Sequence, residues 1–389
     1  MNKKIIYMLI FSAFAFFATN FQHVVTPSYL NTIGLKESHY GFLFAFMALG
    51  MSISSPISGR IGDKYGTRLT IFFGFIGYAI SQFLFGTFTN IYALVFVRLT
   101  AGLSISASST NMISYLTKVS TPERRAKVMS YYVAGILLFV SVAYKFGGEL
   151  GIFLPARTVI YLHALTCLII AFISLLLPNL KGNSQVIEKV KFKEVINGKL
   201  LTLLFVNLLA VMAFTSSVRF MEVYVINIGF TTQTLGNYVF ISGLVTIIFT
   251  SLILPFISSR VKEPIIMKLL LLIGGLALWS TFNLFDNILI GLYSTFILFN
   301  MVKSGYDPMH NSYISKIDED NQGQVIGISQ SFKALGMVLG LIIGGYLYAY
   351  DKELVFNASA VLILVGFIIL QLIKGDKNES KIFGAPNIK

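Results

Sequence analysis

Charge is scarce in this chain: only 12% of its 389 residues are Asp, Glu, Lys or Arg, about half the ~25% of an ordinary soluble domain. A soluble protein of this size could not hide so much apolar surface in its cores. The scarcity excludes a cytosolic enzyme and a polar binding module, and the hydrophobicity excludes disorder. Cysteine is scarcer still. Cys167 is the single one, which leaves no internal disulfide and no structural zinc site. It lies in the apolar run LHALTCLII and is expected as a small buried residue. Catalytic signatures are missing too: the chain has no H-E-x-x-H, no G-x-S-x-G and no Walker phosphate loop, the motifs that would hold zinc, an acyl nucleophile or ATP. The expectation is no enzyme, no metal and no organic cofactor.

What the chain does have is apolar length. It is 55% hydrophobic and 14% aromatic, with a mean hydropathy of +0.76. A helix needs about 20 apolar residues to cross the hydrocarbon core of a membrane. Twelve stretches qualify: 5–30, 39–58, 69–87, 91–117, 128–150, 158–177, 200–224, 236–257, 265–283, 288–312, 325–348 and 354–373. They are long and lack strict alternation, which favours helices over a barrel. The first begins like a signal peptide, but its apolar run continues toward residue 30 without a clear small-residue cleavage site. It reads as a retained first span.

Twelve spans put both termini on one side, and the basic residues choose that side. If it is the cytoplasm, 22 Lys and Arg fall on inner segments and three, Lys36, Arg157 and Lys352, on outer loops. The asymmetry places both termini inside. It also accounts for most of the formal charge of +13, so no nucleic-acid partner is needed. The longest inner loop, Pro178 to Lys199, separates two halves of similar size. The expected organisation is a first six-helix bundle over 1–180, a cytoplasmic linker over 181–199, a second bundle over 200–373 and a cytoplasmic tail over 374–389. The fold class is an all-α membrane protein, with a small-molecule substrate site between the bundles near the midplane. A channel is disfavoured because no span carries regularly spaced polar residues. Two bundles already enclose a site, so a monomer is expected. Lys-, Ile- and Asn-rich usage and the lack of a targeting sequence suit a bacterial inner membrane.

The loop after the second span reads Gly59-Arg60-Ile61-Gly62-Asp63-Lys64-Tyr65-Gly66-Thr67-Arg68. Glycines there permit a tight turn, and an aspartate beside a helix N-terminus and basic partners can latch neighbouring helices. With Gly59, Asp63, Lys64, Gly66 and Arg68 in place, this loop resembles the signature of the major facilitator superfamily. The fourth span holds Arg98-Leu99-Thr100-Ala101-Gly102, similar to an arginine-x-x-x-glycine motif associated with proton-driven members. The eleventh holds Gly336, Gly340, Gly344 and Gly345, spaced like the glycine motif that drug antiporters carry in span five. Leu341 stands there in place of a usual proline, and span five itself has Ala143 and Tyr144 where Gly-Pro is expected. Close helix packing is the plain role of such glycines. Glu222 in span seven and Gly305-Tyr306-Asp307 in span ten resemble the acidic positions of NorA-type quinolone efflux pumps. That resemblance implies the major facilitator fold, drug:proton antiport, and proton coupling at Glu222 and Asp307, with Arg98 beside them.

Charges inside a membrane are expensive and usually functional. Here they are Arg98, Lys145, Glu149, Arg219, Glu222, Lys303, Asp307 and Lys333, with His23, His163 and His310 also in spans. Three pairs have helical spacing: Lys145 with Glu149, Arg219 with Glu222, and Lys303 with Asp307. Each could neutralise itself on one helix face. Five in-span bases against three acids lean toward an anionic cargo. The expected substrate contacts are Lys145, Arg219, His310 and Lys333. The leading reading is proton-gradient-driven export of small organic compounds. Its alternatives are a dedicated exporter of an anionic metabolite, such as a carboxylate siderophore, and a proton-linked uptake carrier.

Overall fold

The computed structural model describes residues 3–180, 198–317 and 322–372. Among the described residues the regular structure is helical and no strand occurs. Twelve helices there are long and apolar enough to cross a membrane. In the first half they are α1 (Lys3–Thr32), α2 (Ser38–Tyr65), α3 (Thr67–Thr87), α4 (Ile91–Val119), α5 (Lys127–Phe153) and α6 (Ala156–Ser174). In the second they are α7 (Gly198–Asn227), α8 (Thr232–Ser258), α9 (Glu263–Asn283), α10 (Ile288–Ile314), α11 (Val325–Tyr350) and α12 (Leu354–Gln371). All twelve expected runs are present. The chain is a multi-pass membrane protein with two six-helix bundles. The expected tail lies outside the described residues, as does the expected linker except for Gly198 and Lys199.

Local chemistry sets the helix ends. Asn90 caps α4, its side chain accepting from the backbone N–H of Tyr92 at 2.9 Å and Ala93 at 3.4 Å, two donors the helix cannot satisfy itself. Helix α8 begins at Thr232, four residues before its apolar run, because the Thr231 side chain accepts from the Thr234 N–H at 3.2 Å. Capping therefore extends that helix through a polar first turn. Between α2 and α3 the backbone turns at Gly66, whose φ of +104° is one that L side chains rarely adopt.

Each half is knitted internally. In the first, α2 packs on α4, α4 on α3, α3 on α6 and α1 on α5; in the second, α7 packs on α11 and α12, and α9 on α10 and α12. The halves meet along two seams, α2 with α11 and α5 with α8. Lipid gives no hydrophobic drive between helices, so small residues must let backbones approach. A Cβ on Gly41 would stand 2.2 Å from the Leu341 carbonyl oxygen, and one on Gly236 would stand 2.5 Å from that of Tyr144. Neither position has room for a side chain. Outward-facing positions carry large apolar groups, among them Phe73, Phe96, Leu252 and Phe256, a surface suited to acyl chains. Cys167 is buried, its thiol donating to the Ala18 carbonyl at 3.5 Å.

Candidate functional site

Glu222 sits where the two halves touch. Its carboxylate is 2% exposed and accepts from three donors. Tyr40 of α2 donates to Oε2 at 2.9 Å, Tyr144 of α5 donates to Oε1 at 2.9 Å, and Arg219, one turn before Glu222 on α7, donates to Oε1 at 3.0 Å. Arg219 also reaches the Tyr144 hydroxyl at 3.2 Å. One acid of the second half therefore gathers phenols from two helices of the first. Charge-assisted bonds of this kind are stronger than neutral ones.

Phe44 of α2 joins two guanidinium groups. Arg219 lies 4.7 Å from its ring centroid, and Arg98 of α4 lies 5.3 Å from it. Arg98 is fully buried. It stacks on Phe85 at 3.7 Å and donates from Nη1 to the Met47 sulfur at 3.9 Å. Its Nε and Nη2 are buried, with no hydrogen-bond partner among the described residues. Aromatic faces partly replace the water such a cation gives up.

Next to this cluster the second half lines a half-open cavity of about 250 Å³. Helix α7 contributes Val211, Phe214, Thr215, Val218 and Arg219. Helix α10 contributes Lys303, Tyr306 and Asp307, and α11 contributes Lys333 and Met337. The Lys333 ammonium is ion-paired with Asp307 across helices. That contact departs from the spacing reading, which joined Asp307 to Lys303 one turn away. The α11 lysine reaches the carboxylate directly, and among the described residues Lys303 makes no hydrogen bond or ion pair. The second spacing pair also separates. Lys145 donates to Asn237 at 2.9 Å, and Glu149 accepts from Gln233 at 2.9 Å; both bonds run from α5 to α8. Of the three spaced pairs, Arg219 with Glu222 forms as expected.

The expected substrate contacts are thus divided. Arg219 and Lys333 line the cavity. Lys145 is exposed on the α5–α8 seam. His310 lies behind the cavity wall, bonded through Nε2 to Ser329 at 3.2 Å and stacked on Tyr306 with centroids 5.8 Å apart. Tyr40, Tyr144 and Phe44 were no part of the expected site, and neither was Lys303 as a cavity group free of Asp307. A tyrosine or phenylalanine in an apolar span has no sequence signal separating a site role from lipid contact. Lys303 carried the one usable signal, a cation inside a span.

The bonds between the halves cluster at one end of the molecule. Asn31 donates to Asn227 at 3.1 Å, Thr232 to the Gly148 carbonyl at 3.0 Å, and Gln233 to Glu149 as above. This end bears the α1–α2, α5–α6 and α7–α8 turns. At the opposite end two ion pairs among the described residues each join helices of one half: Asp63 of α2 with Lys118 of α4 at 2.6 Å, and Glu263 of α9 with Lys316 after α10. The glycine-rich turn is at that second end. Gly59 faces Thr110 of α4, the Lys64 ammonium lies 5.2 Å from the Tyr65 ring centroid, and the Arg68 N–H donates to Asn179 at 3.2 Å. The glycines of α11 serve packing: Gly336 abuts Leu208, Gly340 abuts Met212 and Gly344 abuts Phe220, all on α7, and Gly345 meets Ser38 of α2.

Comparison with known proteins agrees with this architecture. A family model described as Major Facilitator Superfamily matches residues 8–317. Multidrug resistance protein 2 of Bacillus subtilis is 25% identical over 97% of both chains. Quinolone resistance protein NorA of Staphylococcus aureus is 26% identical over 98% of this chain and 99% of its own. Among solved structures, the nucleoside transporter NupG superposes with a TM-score of 0.79 at 15% identity, covering 95% of this chain and 98% of that one.

Proposed function

Because the chain belongs to the Major Facilitator Superfamily, and is therefore a transporter, we propose that it exports small organic compounds by alternating access, driven by the proton gradient. It works as a monomer in a bacterial cytoplasmic membrane with both termini inside, and it needs no cofactor. The multidrug and quinolone resistance relatives support export and an organic cargo. The observation that carries the reading is the Glu222 carboxylate, held by Tyr40 and Tyr144 across the halves.

The basic residues make the tied end the outer one. An ionised carboxylate accepts from several donors at once, whereas a protonated one gives up acceptor capacity and becomes a donor. Ionised Glu222 and a closed outer end thus favour one another, as do protonated Glu222 and an open one. The proton binds when the outer end is open and leaves when it closes, which is the inward flow the gradient drives. Arg219 couples cargo to this step, since it both lines the cavity and bonds Glu222. A cargo group that engages Arg219 loosens its hold on Glu222. Asp307, paired with Lys333, is the second proton-coupling residue, and Arg98 tunes the cluster through Phe44. The Gly59–Arg68 turn, through Asp63 and Lys118, steadies α2 against α4 at the inner end.

The test is transport in everted vesicles with an imposed proton gradient, offering a lipophilic organic cation and a citrate-type siderophore as cargo. Glu222→Gln should lower gradient-driven accumulation at least ~10-fold while exchange of labelled for unlabelled cargo continues. Unchanged accumulation in Glu222→Gln would remove this residue from the coupling.

A further inference from the structure

The cavity carries an ammonium that no side chain among the described residues contacts directly. Lys303 lines it, half-buried, and among the described residues it makes no hydrogen bond or ion pair. Its neighbour one turn along α10, Asp307, has the spacing to pair with it but is bonded to Lys333 of α11 instead. Arg219 is likewise engaged, by Glu222 and Tyr144. Among the described residues three cations line the cavity, Arg219, Lys303 and Lys333, with Asp307 the one carboxylate in its walls. Including Glu222 behind the wall still leaves one uncompensated positive charge, and Lys303 bears it. Within a membrane span such a charge is expensive. An anion that pairs with it recovers that expense.

We propose that Lys303 docks the anionic group of the cargo, and that the cargo is an organic carboxylate with an apolar body. The inference rests on the transport reading above and names its substrate class. The apolar body lies against Val211, Phe214, Val218 and Met337. A cationic cargo would want an aromatic cage and free carboxylates. Among the described residues the cavity has only Phe214 and Tyr306 as aromatic walls, and its one carboxylate is already paired. Lys333 is thereby a support for Asp307 and Lys145 a seam residue, and neither is the primary anion contact.

Naphthoate, naphthamide and naphthylmethylammonium share a ring system and differ in charge, which makes them the probes. Binding is measured by calorimetry on the full chain in lipid nanodiscs, for wild type, Lys303→Met and Lys303→Arg. Wild type should bind naphthoate at least ~10-fold more tightly than the ammonium, and Lys303→Met should lose ~10-fold or more of the naphthoate affinity, the scale of a charge-assisted hydrogen bond. Naphthamide affinity should be the same in wild type and Lys303→Met, which shows that the variant keeps its cavity, and Lys303→Arg should restore naphthoate. An ammonium that binds as well as the carboxylate, or naphthoate affinity untouched by Lys303→Met, would overturn the proposal. Counterflow of the same three compounds in proteoliposomes separates the two readings. Exchange of the ammonium or amide but not the carboxylate overturns the anion assignment and leaves transport standing. Lys303-dependent naphthoate binding with no exchange of any probe supports the site and overturns the transport reading.

Discussion

Tyr40 and Glu222 are 182 positions apart in sequence, yet the phenol of one donates to the carboxylate of the other at 2.9 Å. With the Tyr144 bond of equal length, this makes Glu222 a direct reporter of whether the two halves are together at the α1–α2 end. Few other polar atoms have that property. The Asn31–Asn227 and Gln233–Glu149 bonds also cross between the halves, but they lie further toward the rim, away from the cavity. Glu222 joins the seam to the cavity because Arg219 belongs to both.

Removing the two phenols should therefore open that end. Each hydroxyl bonded to a carboxylate is worth about 1.5–3 kcal/mol, so Tyr40→Phe with Tyr144→Phe should shift the closed-to-open ratio at least ~10-fold. Asn31→Cys with Asn227→Cys, in a Cys167→Ala background, supplies the measurement. The asparagines already touch, and a disulfide between the new thiols forms only while the end is closed. Cross-linking should be slower by a similar factor in the double phenylalanine variant. Equal rates would mean that the glycine seams alone hold the end shut.

The Asp307–Lys333 pair predicts a non-additive result. It lies on a cavity wall, with side chains 37% and 28% exposed, so solvent screens it relative to a dry pair. Asp307→Leu leaves the α11 ammonium unpaired beside Lys303 and should cost about 1–2 kcal/mol, below the range for a fully buried pair. Lys333→Met adds back what the first change took, because it removes the stranded charge. Thermal unfolding in detergent across the four-protein cycle should give a coupling of about 1 kcal/mol. Additive effects would mean that the carboxylate has another partner in solution, for which Lys303 is the nearest candidate on its own helix.

The fold was legible because a membrane leaves a sequence little freedom. Each span needs its apolar length, and all twelve runs became helices. Helix α8 starts ahead of its apolar run because its first turn is polar and held by Thr231, a capping signal that lies outside the hydropathy pattern. The site was legible only as an inventory. Glu222, Asp307, Arg219 and Lys333 stood out as charges among apolar residues, but spacing along one helix cannot report what a neighbouring helix brings. Asp307 pairs with α11 rather than with Lys303 for that reason. In sequence Tyr144 is merely a departure from a glycine motif, yet its hydroxyl is one of the three donors to Glu222.

Arg98 separates a structural role from a functional one most sharply. A structural arginine in a membrane span should use its donors on carbonyls or carboxylates, yet Nε and Nη2 are buried and unbonded. Among the described residues only Met47 accepts from it, and Phe85 and Phe44 supply aromatic faces. Replacing a poorly satisfied buried charge by an apolar group of similar length is often neutral or stabilising. Arg98→Met should accordingly unfold at the wild-type temperature or above it. The same variant should lose gradient-driven transport by ~10-fold or more, because the positive charge that Phe44 shares with Arg219 is gone from beside Glu222. Lower thermal stability together with normal transport would reverse the assignment. Arg98 would then be a packing residue whose unbonded nitrogens meet water inside the protein.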